Sequence, residues 1–228
     1  MDALLLDYNG VIVDDEPVHF LALKDVLVDR GIGLTEAAYY EDFVGTDDRA
    51  AFRKAFARAG RDLAPDALGE LVARKAARYA ELAGGNLALV PGVGAFVRAA
   101  EGRARIAVAS GALRHEIEQG LALAGIRDLV GAIVSQEDTH TTKPDPAGFR
   151  LALARLADRE PGETWRALAV EDSPPGLLAA RALGAGCLML TTSYPAGALA
   201  GADLTWDTFE GHAPAELEPL WRPVEVRP

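Results

Sequence analysis

The chain has 228 residues, half of them apolar, with 34 acidic against 23 basic side chains and a formal net charge of −11. That is enough chain for one sizeable core and a smaller module, and the charge argues against a nucleic acid or an anionic membrane as partner without excluding a small anionic substrate, which one lysine and one cation can receive locally. A single cysteine excludes an internal disulfide, no apolar run reaches the ~20 residues of a spanning helix, and no signal peptide precedes the first strand, so a soluble, cytoplasmic protein is expected.

In chain order, the apolar run at 2–7 reads as a first strand. From about Pro17 to Leu82 the pattern is helical, with Leu68, Leu71, Val72, Tyr79 and Leu82 at helical spacing and breaks at Gly31-Ile32-Gly33, Gly60 and Gly84-Gly85-Asn86. After Pro91-Gly92 helix and strand alternate: a helix from about 93, strand 104–109, helix 113–124, strand 131–134, helix 146–157, strand 166–170, helix 175–183 and strand 186–190. An edge strand follows near Asp203-Leu204-Thr205. Such alternation predicts an α/β fold, a Rossmann-like parallel sheet covered by helices on both faces. The first strand belongs to that sheet although some seventy residues of helix intervene. Residues 16–87 are therefore expected to form an inserted all-helical cap, with 1–15 and 88–228 as the core. Cys187, in the apolar run Gly186-Cys187-Leu188-Met189-Leu190, reads as a buried small hydrophobe.

Four of the strand-to-loop junctions carry chemistry. Ala3-Leu4-Leu5-Leu6 leads straight into Asp7-Tyr8-Asn9-Gly10, and an ionised carboxylate at the end of a buried strand needs a partner. The strand at 104–109 runs into Ser110-Gly111. Lys143 lies in the proline-stiffened loop Thr142-Lys143-Pro144-Asp145-Pro146, and the strand at 166–170 runs into Glu171-Asp172-Ser173. In open parallel sheets ligands bind at the carboxyl ends of the strands. Each junction taken alone also fits a turn, a solvated charge or a helix cap.

In this order, Asp-x-x-Gly, Ser, Lys-Pro and Glu-Asp-Ser-x-x-Gly, the four segments resemble the haloacid dehalogenase superfamily, most closely the branch of beta-phosphoglucomutase and sugar-phosphate phosphatases. The resemblance spans residues 7 to 176. It implies phosphoryl transfer through an aspartyl phosphate, with Asp7 as nucleophile, Ser110, Gly111 and Lys143 on the phosphate, and Mg2+ held by Asp7, Asp172, neighbouring Glu171 and the backbone carbonyl near Asn9. Those residue types suit the chemistry, because magnesium takes hard oxygen ligands and a phosphoryl group needs fixed donors and compensating charge. The positive end of the helix after Gly111 adds to the same field. The implied substrate is a small phosphorylated metabolite, a sugar phosphate by preference. Oligomeric state is left open, a monomer being compatible with the sequence. In the cap, His19 and Lys75 match substrate-reading positions of the mutase branch. Arg49, in Gly45-Thr46-Asp47-Asp48-Arg49, falls one residue later than its counterpart there. His115, His140 and His212 show no metal spacing and take no role.

Asn9 departs from the family pattern, which has there a second aspartate that protonates the leaving oxygen. An amide hydrogen bonds but cannot shuttle a proton, and losing positioned acid–base catalysis costs ~10²–10⁴ in rate. Three readings stay open: a substitution that traps a ligand in an otherwise active enzyme, a native residue in a protein that binds phosphorylated ligands without turnover or takes only substrates whose leaving group needs no proton, and slow deamidation of Asn9-Gly10 to aspartate. The functional expectation is a magnesium-dependent phosphatase. A phosphomutase and a non-catalytic phospholigand-binding protein are the alternatives, and a dehalogenase is disfavoured because it needs no cation beside Glu171-Asp172.

Overall fold

The computed structural model describes every residue except 45, 47, 140, 159–163 and 227–228, and of 85 and 86 the backbone alone. Two compact units are formed, one from Met1–Asp14 with Leu89–Pro228 and one from Asp15–Ala88.

The first unit is built on a sheet in the order β5-β4-β1-β6-β7-β8, from β1 (Asp2–Leu6), β4 (Arg105–Ala109), β5 (Val130–Val134), β6 (Arg166–Glu171), β7 (Gly186–Leu190) and β8 (Leu204–Trp206). Every neighbouring pair along this path is parallel. A short strand β9 (Arg222–Pro223) pairs antiparallel with Arg166 and Ala167, where the β6–β7 ladder, which begins at Leu168, has not yet started. Two further short strands, β2 (Val13–Asp14) and β3 (Ala88–Leu89), pair with each other.

The unbroken apolar runs in β1, β4, β6 and β7 follow from burial on both faces. Leu4, Leu6, Ile106, Val108, Leu168 and Val170 share a core with helices α5 (Val93–Ala100) and α6 (Arg114–Leu123). The alternate residues Ala3, Leu5, Ala107, Ala109, Ala167, Ala169 and Cys187 pack with α7 (Ala147–Ala157) and α8 (Pro174–Leu183). Residues of successive parity point to opposite faces, so two helices cover each side. The alanines on the α7/α8 face leave room there for Phe149 and Trp165 in the core.

The second unit holds α1 (Glu16–Val28), α2 (Glu36–Asp42), α3 (Asp48–Arg58) and α4 (Pro65–Asn86) around Phe20, Leu23, Leu27, Tyr39, Phe52, Phe56 and Leu71. Left-handed Gly31 and Gly60 turn the chain after α1 and α3. The expected break at Gly84-Gly85-Asn86 falls inside the last turn of α4. Among the described residues no helix is long and apolar enough to cross a membrane. Cys187 is fully buried and its thiol is pushed up to about 12 by burial, which makes it a core residue and a poor nucleophile.

Candidate active site

The central strand of the sheet delivers the first functional group. β1 is flanked by β4 and β6, which continue in opposite directions across the sheet, and Asp7 is the residue immediately after its carboxyl end. Its amide donates to Val170 O at 3.0 Å, so the ladder with β6 extends one residue beyond the strand and fixes the Asp7 backbone. The next turn is held by Ile12 N and Val13 N, both donating to Tyr8 O, and by Gly10 N donating to Val13 O at 2.7 Å. Gly10 has φ +70°, and a Cβ there would occupy the space of the Asp172 carboxylate. Only glycine lets the loop after β1 come this close to Asp172.

Glu171 ends β6 and Asp172 follows it, so both arrive beside Asp7 through the β1–β6 pairing. One carboxylate oxygen from each of Asp7, Glu171 and Asp172 can be chosen so that all three lie within 4.8 Å of one another, and all three residues are buried. Lys143 Nζ contacts Asp7 Oδ1 at 2.7 Å and also Glu171 Oε1. Neither oxygen takes a well-aligned hydrogen bond, so the attraction is one of charge. Lys143 further lies over the ring of Phe149, 5.0 Å from its centroid.

Three carboxylates against one ammonium leave negative charge unspent. Burial, reinforced by the charges of Glu171 and Asp7, pushes the Asp172 carboxyl well above the usual carboxylate range. Glu171 is raised as well, by burial first, with Lys143 opposing. Burial acts to lower Lys143, but Asp7 and Glu171 outweigh it and hold the lysine above its ordinary value and charged. Glu171 spends its second oxygen on Asp172 N, Ser173 N and Ser173 Oγ, at 3.1–3.4 Å. A Cβ on Gly176 would collide with its carboxylate, so this glycine is the cradle of Glu171. Glu171 is thus the anchor of Lys143, and the cluster as a whole fits a hard divalent cation.

A family model for haloacid dehalogenase-like hydrolases matches residues 1–184. The chain belongs to that family. Within it the chain is a hydrolase of the phosphatase type. It is 28% identical over 218 residues to protein CbbY of Cereibacter sphaeroides, covering 92% of this chain and 93% of that protein. It is 35% identical over 102 residues to the validoxylamine A 7'-phosphate phosphatase of Streptomyces hygroscopicus subsp. limoneus, a match that spans 45% of this chain and 46% of that one. Among solved structures, an aspartate-to-asparagine variant of CbbY from Rhodobacter sphaeroides, in complex with xylulose-(1,5)bisphosphate, superposes with a TM-score of 0.68 at 27% identity, covering 94% of this chain and 98% of that one.

The remaining motif residues of this haloacid dehalogenase-like chain fall into two groups. Ser110 stands at the carboxyl end of β4, next to β1, with its amide bonded to Val134 O and its hydroxyl accepting from Ala112 N at 3.3 Å. Gly111 is exposed in the bend that follows. At the N-terminus of α6, Arg114 N donates to the Glu137 carboxylate and the cap residue Leu113 N to Glu116. Asn9 is half-buried and bridges to Val13 in the loop after β1. Its geometry opposes self-conversion to aspartate, because the Gly10 nitrogen that would have to attack the amide carbon is held on Val13 O.

The second group lies wholly in the helical unit. His19 Nδ1 and Lys75 Nζ are 2.8 Å apart, and Lys75, although a lysine, is only 5% exposed. Lys75 pairs with Asp48, while His19 Nε2 reaches Asp15 Oδ2 at 3.2 Å and stacks on Tyr79, whose hydroxyl donates to the same oxygen. Arg49 is exposed in the first turn of α3, so in its loop it is Asp48 that meets Lys75. Gly45 and Asp47 lie outside the described residues, as does His140.

Sequence reasoning missed Thr192 and Ser193, which follow β7. Thr192 Oγ1 donates to Gly10 O at 2.6 Å, and Ser193 Oγ donates to Asp172 Oδ2. The signal was present in Leu190-Thr191-Thr192-Ser193, another apolar strand breaking into hydroxyls, but such a tripeptide is common in ordinary turns. Phe149 was hidden for another reason: an aromatic residue in a helix reads as core, which it also is.

Proposed function

We propose that this chain is a magnesium-dependent phosphatase for a small phosphorylated metabolite, a sugar phosphate by preference, acting through an aspartyl phosphate on Asp7. The observation that carries the reading is the cluster of Asp7, Glu171 and Asp172 with Lys143 across two of them. Such a cluster has one nucleophilic carboxylate, one fixed cation and an excess of oxygen ligands, the parts that phosphoryl transfer requires. The names of the phosphatase relatives and the bisphosphate in the CbbY complex support the substrate class.

In this reading a carboxylate oxygen of Asp7 attacks phosphorus, the bond from phosphorus to the substrate oxygen breaks, and the departing oxygen needs a proton. Water then attacks the phosphorus of the aspartyl phosphate and frees inorganic phosphate and Asp7. Lys143 offsets charge on the incoming phosphoryl group, while Ser110 and the backbone around Gly10 and Gly111 provide neutral donors. Asp7, Asp172 and the backbone carbonyl of Asn9 would hold magnesium, with Glu171 beside it, and the ion when bound supplies charge neutralisation at the phosphoryl oxygens. The helical unit serves substrate recognition through His19, Lys75 and Arg49.

Asn9 cannot supply the proton, which favours substrates whose leaving oxygen is stable as an anion. It also supports a second reading, a protein that binds phosphorylated ligands without turnover. The deciding assay compares the chain with Asn9→Asp, in magnesium, on phosphorylated metabolites and aryl and acyl phosphates, scoring phosphate release and isomerised product. Release restored by the substitution supports the phosphatase, and isomerised product would mark a mutase. Silence of both chains, with phosphorylated ligands still bound, would favour the binding protein.

A further inference from the structure

The loop after β7 touches both halves of the carboxylate cluster. Thr192 Oγ1 donates to the carbonyl of Gly10, in the loop that carries Asn9, and Ser193 Oγ donates to Asp172 Oδ2. The three meet where Gly10 has no side chain: the position of its missing Cβ is 3.0 Å from Ser193 Oγ and falls on the Asp172 carboxylate. A serine hydroxyl has one hydrogen to give, and here it goes to a carboxylate that is 5% exposed and has Glu171 and Asp7 as like-charged neighbours. The hydrogen bond from Ser193 to Oδ2 holds the Asp172 carboxylate, one of the three oxygen donors of the cluster, in place.

We propose that Ser193 is a positioning residue for the cation site: by holding Asp172 in one orientation it sets the affinity for Mg2+, with Thr192 holding the Gly10 end of the same site. The inference rests on the cation-dependent reading above. Partners of this kind, bonded to a ligand and not to the ion, change metal affinity by about 10–100-fold when removed.

The test is calorimetric titration of Mg2+ into the full chain and into Ser193→Ala, Ser193→Thr and Thr192→Val, with thermal melts of each protein free of divalent ions. Ser193→Ala is expected to bind Mg2+ about 10–100-fold more weakly, Ser193→Thr to recover most of the affinity because it keeps the hydroxyl, and Thr192→Val to fall between. The ion-free melting temperature of Ser193→Ala is expected to fall by no more than a few degrees, since a single hydrogen bond is lost. A lowered ion-free melting temperature with unchanged Mg2+ affinity would show a structural role and overturn the inference, leaving the phosphatase reading intact. Absence of Mg2+ binding by the unsubstituted chain would instead overturn the cation reading itself, and the inference with it.

Discussion

Each unit of this protein holds a polar cluster around one lysine, and the two are built differently. In the helical unit Lys75 is matched by Asp48, His19 links Lys75 to Asp15, and Tyr79 completes Asp15. Nearby, Glu16 accepts from the Tyr39 hydroxyl, its carboxyl raised chiefly by burial. There Lys75 has Asp48 as its partner, and the Asp15 and Glu16 carboxylates are met by the hydroxyls of Tyr79 and Tyr39. In the sheet unit Lys143 is shared by Asp7 and Glu171, and Asp172 is left with a serine. Burying charge without compensation is costly, and it is the second cluster that carries this cost in the ion-free fold. Under the proposed function it is the open cluster that receives a cation and a phosphoryl group.

The contrast breaks most visibly at Asn9. Asn9→Asp is expected to raise phosphate release from sugar phosphates by ~10²–10⁴ and to raise it much less on aryl or acyl phosphates, whose leaving oxygens need no proton. Steady-state rates on the two substrate types check this, and an equal gain on both would point to the cation instead of proton transfer. Next comes Lys143→Met, which leaves Asp7 and Glu171 as uncompensated buried neighbours. It is expected to cost about 3 kcal/mol of ion-free stability in urea unfolding.

Asp172→Asn should act in the opposite direction. Because burial and like charge raise the Asp172 carboxyl in the fold, its contribution to stability is complete below the ordinary carboxylate range and is lost as pH rises through the raised value. At neutral pH the amide is therefore expected to stabilise the ion-free protein by about 1 kcal/mol and to flatten the pH dependence of its melting temperature, while abolishing stabilisation by Mg2+. The smallest effect is expected in the helical unit: Lys75→Met frees Asp48, already about one-third exposed, and should cost about 0.5 kcal/mol. A larger loss there than at Lys143 would invert the comparison.

Much of this was legible from the amino-acid order. The strand runs and the helical spacing between them predict the doubly covered sheet, because a parallel strand buried on both faces has to be apolar throughout. Asp7, Lys143, Glu171 and Asp172 stand out as charged residues ending apolar strands or held beside proline. Other features are matters of three-dimensional contact. Strand β9 is two residues long and pairs only because the β6–β7 ladder starts late. Ser193 and Thr192 resemble any turn until the sheet order brings the end of β7 to the Asp172 carboxylate. Asp48, one position before Arg49, became the partner of Lys75 through the packing of α3 against α4, which no spacing rule reports.

The most direct test is to trap the nucleophile. The chain is incubated with magnesium and an acyl phosphate, quenched in acid, and the phosphorylated peptide mapped by mass spectrometry beside Asp7→Asn. The account predicts an acid-stable, hydroxylamine-sensitive phosphate on Asp7 that is absent from the variant, and a label on another residue, or one that survives Asp7→Asn, would contradict it.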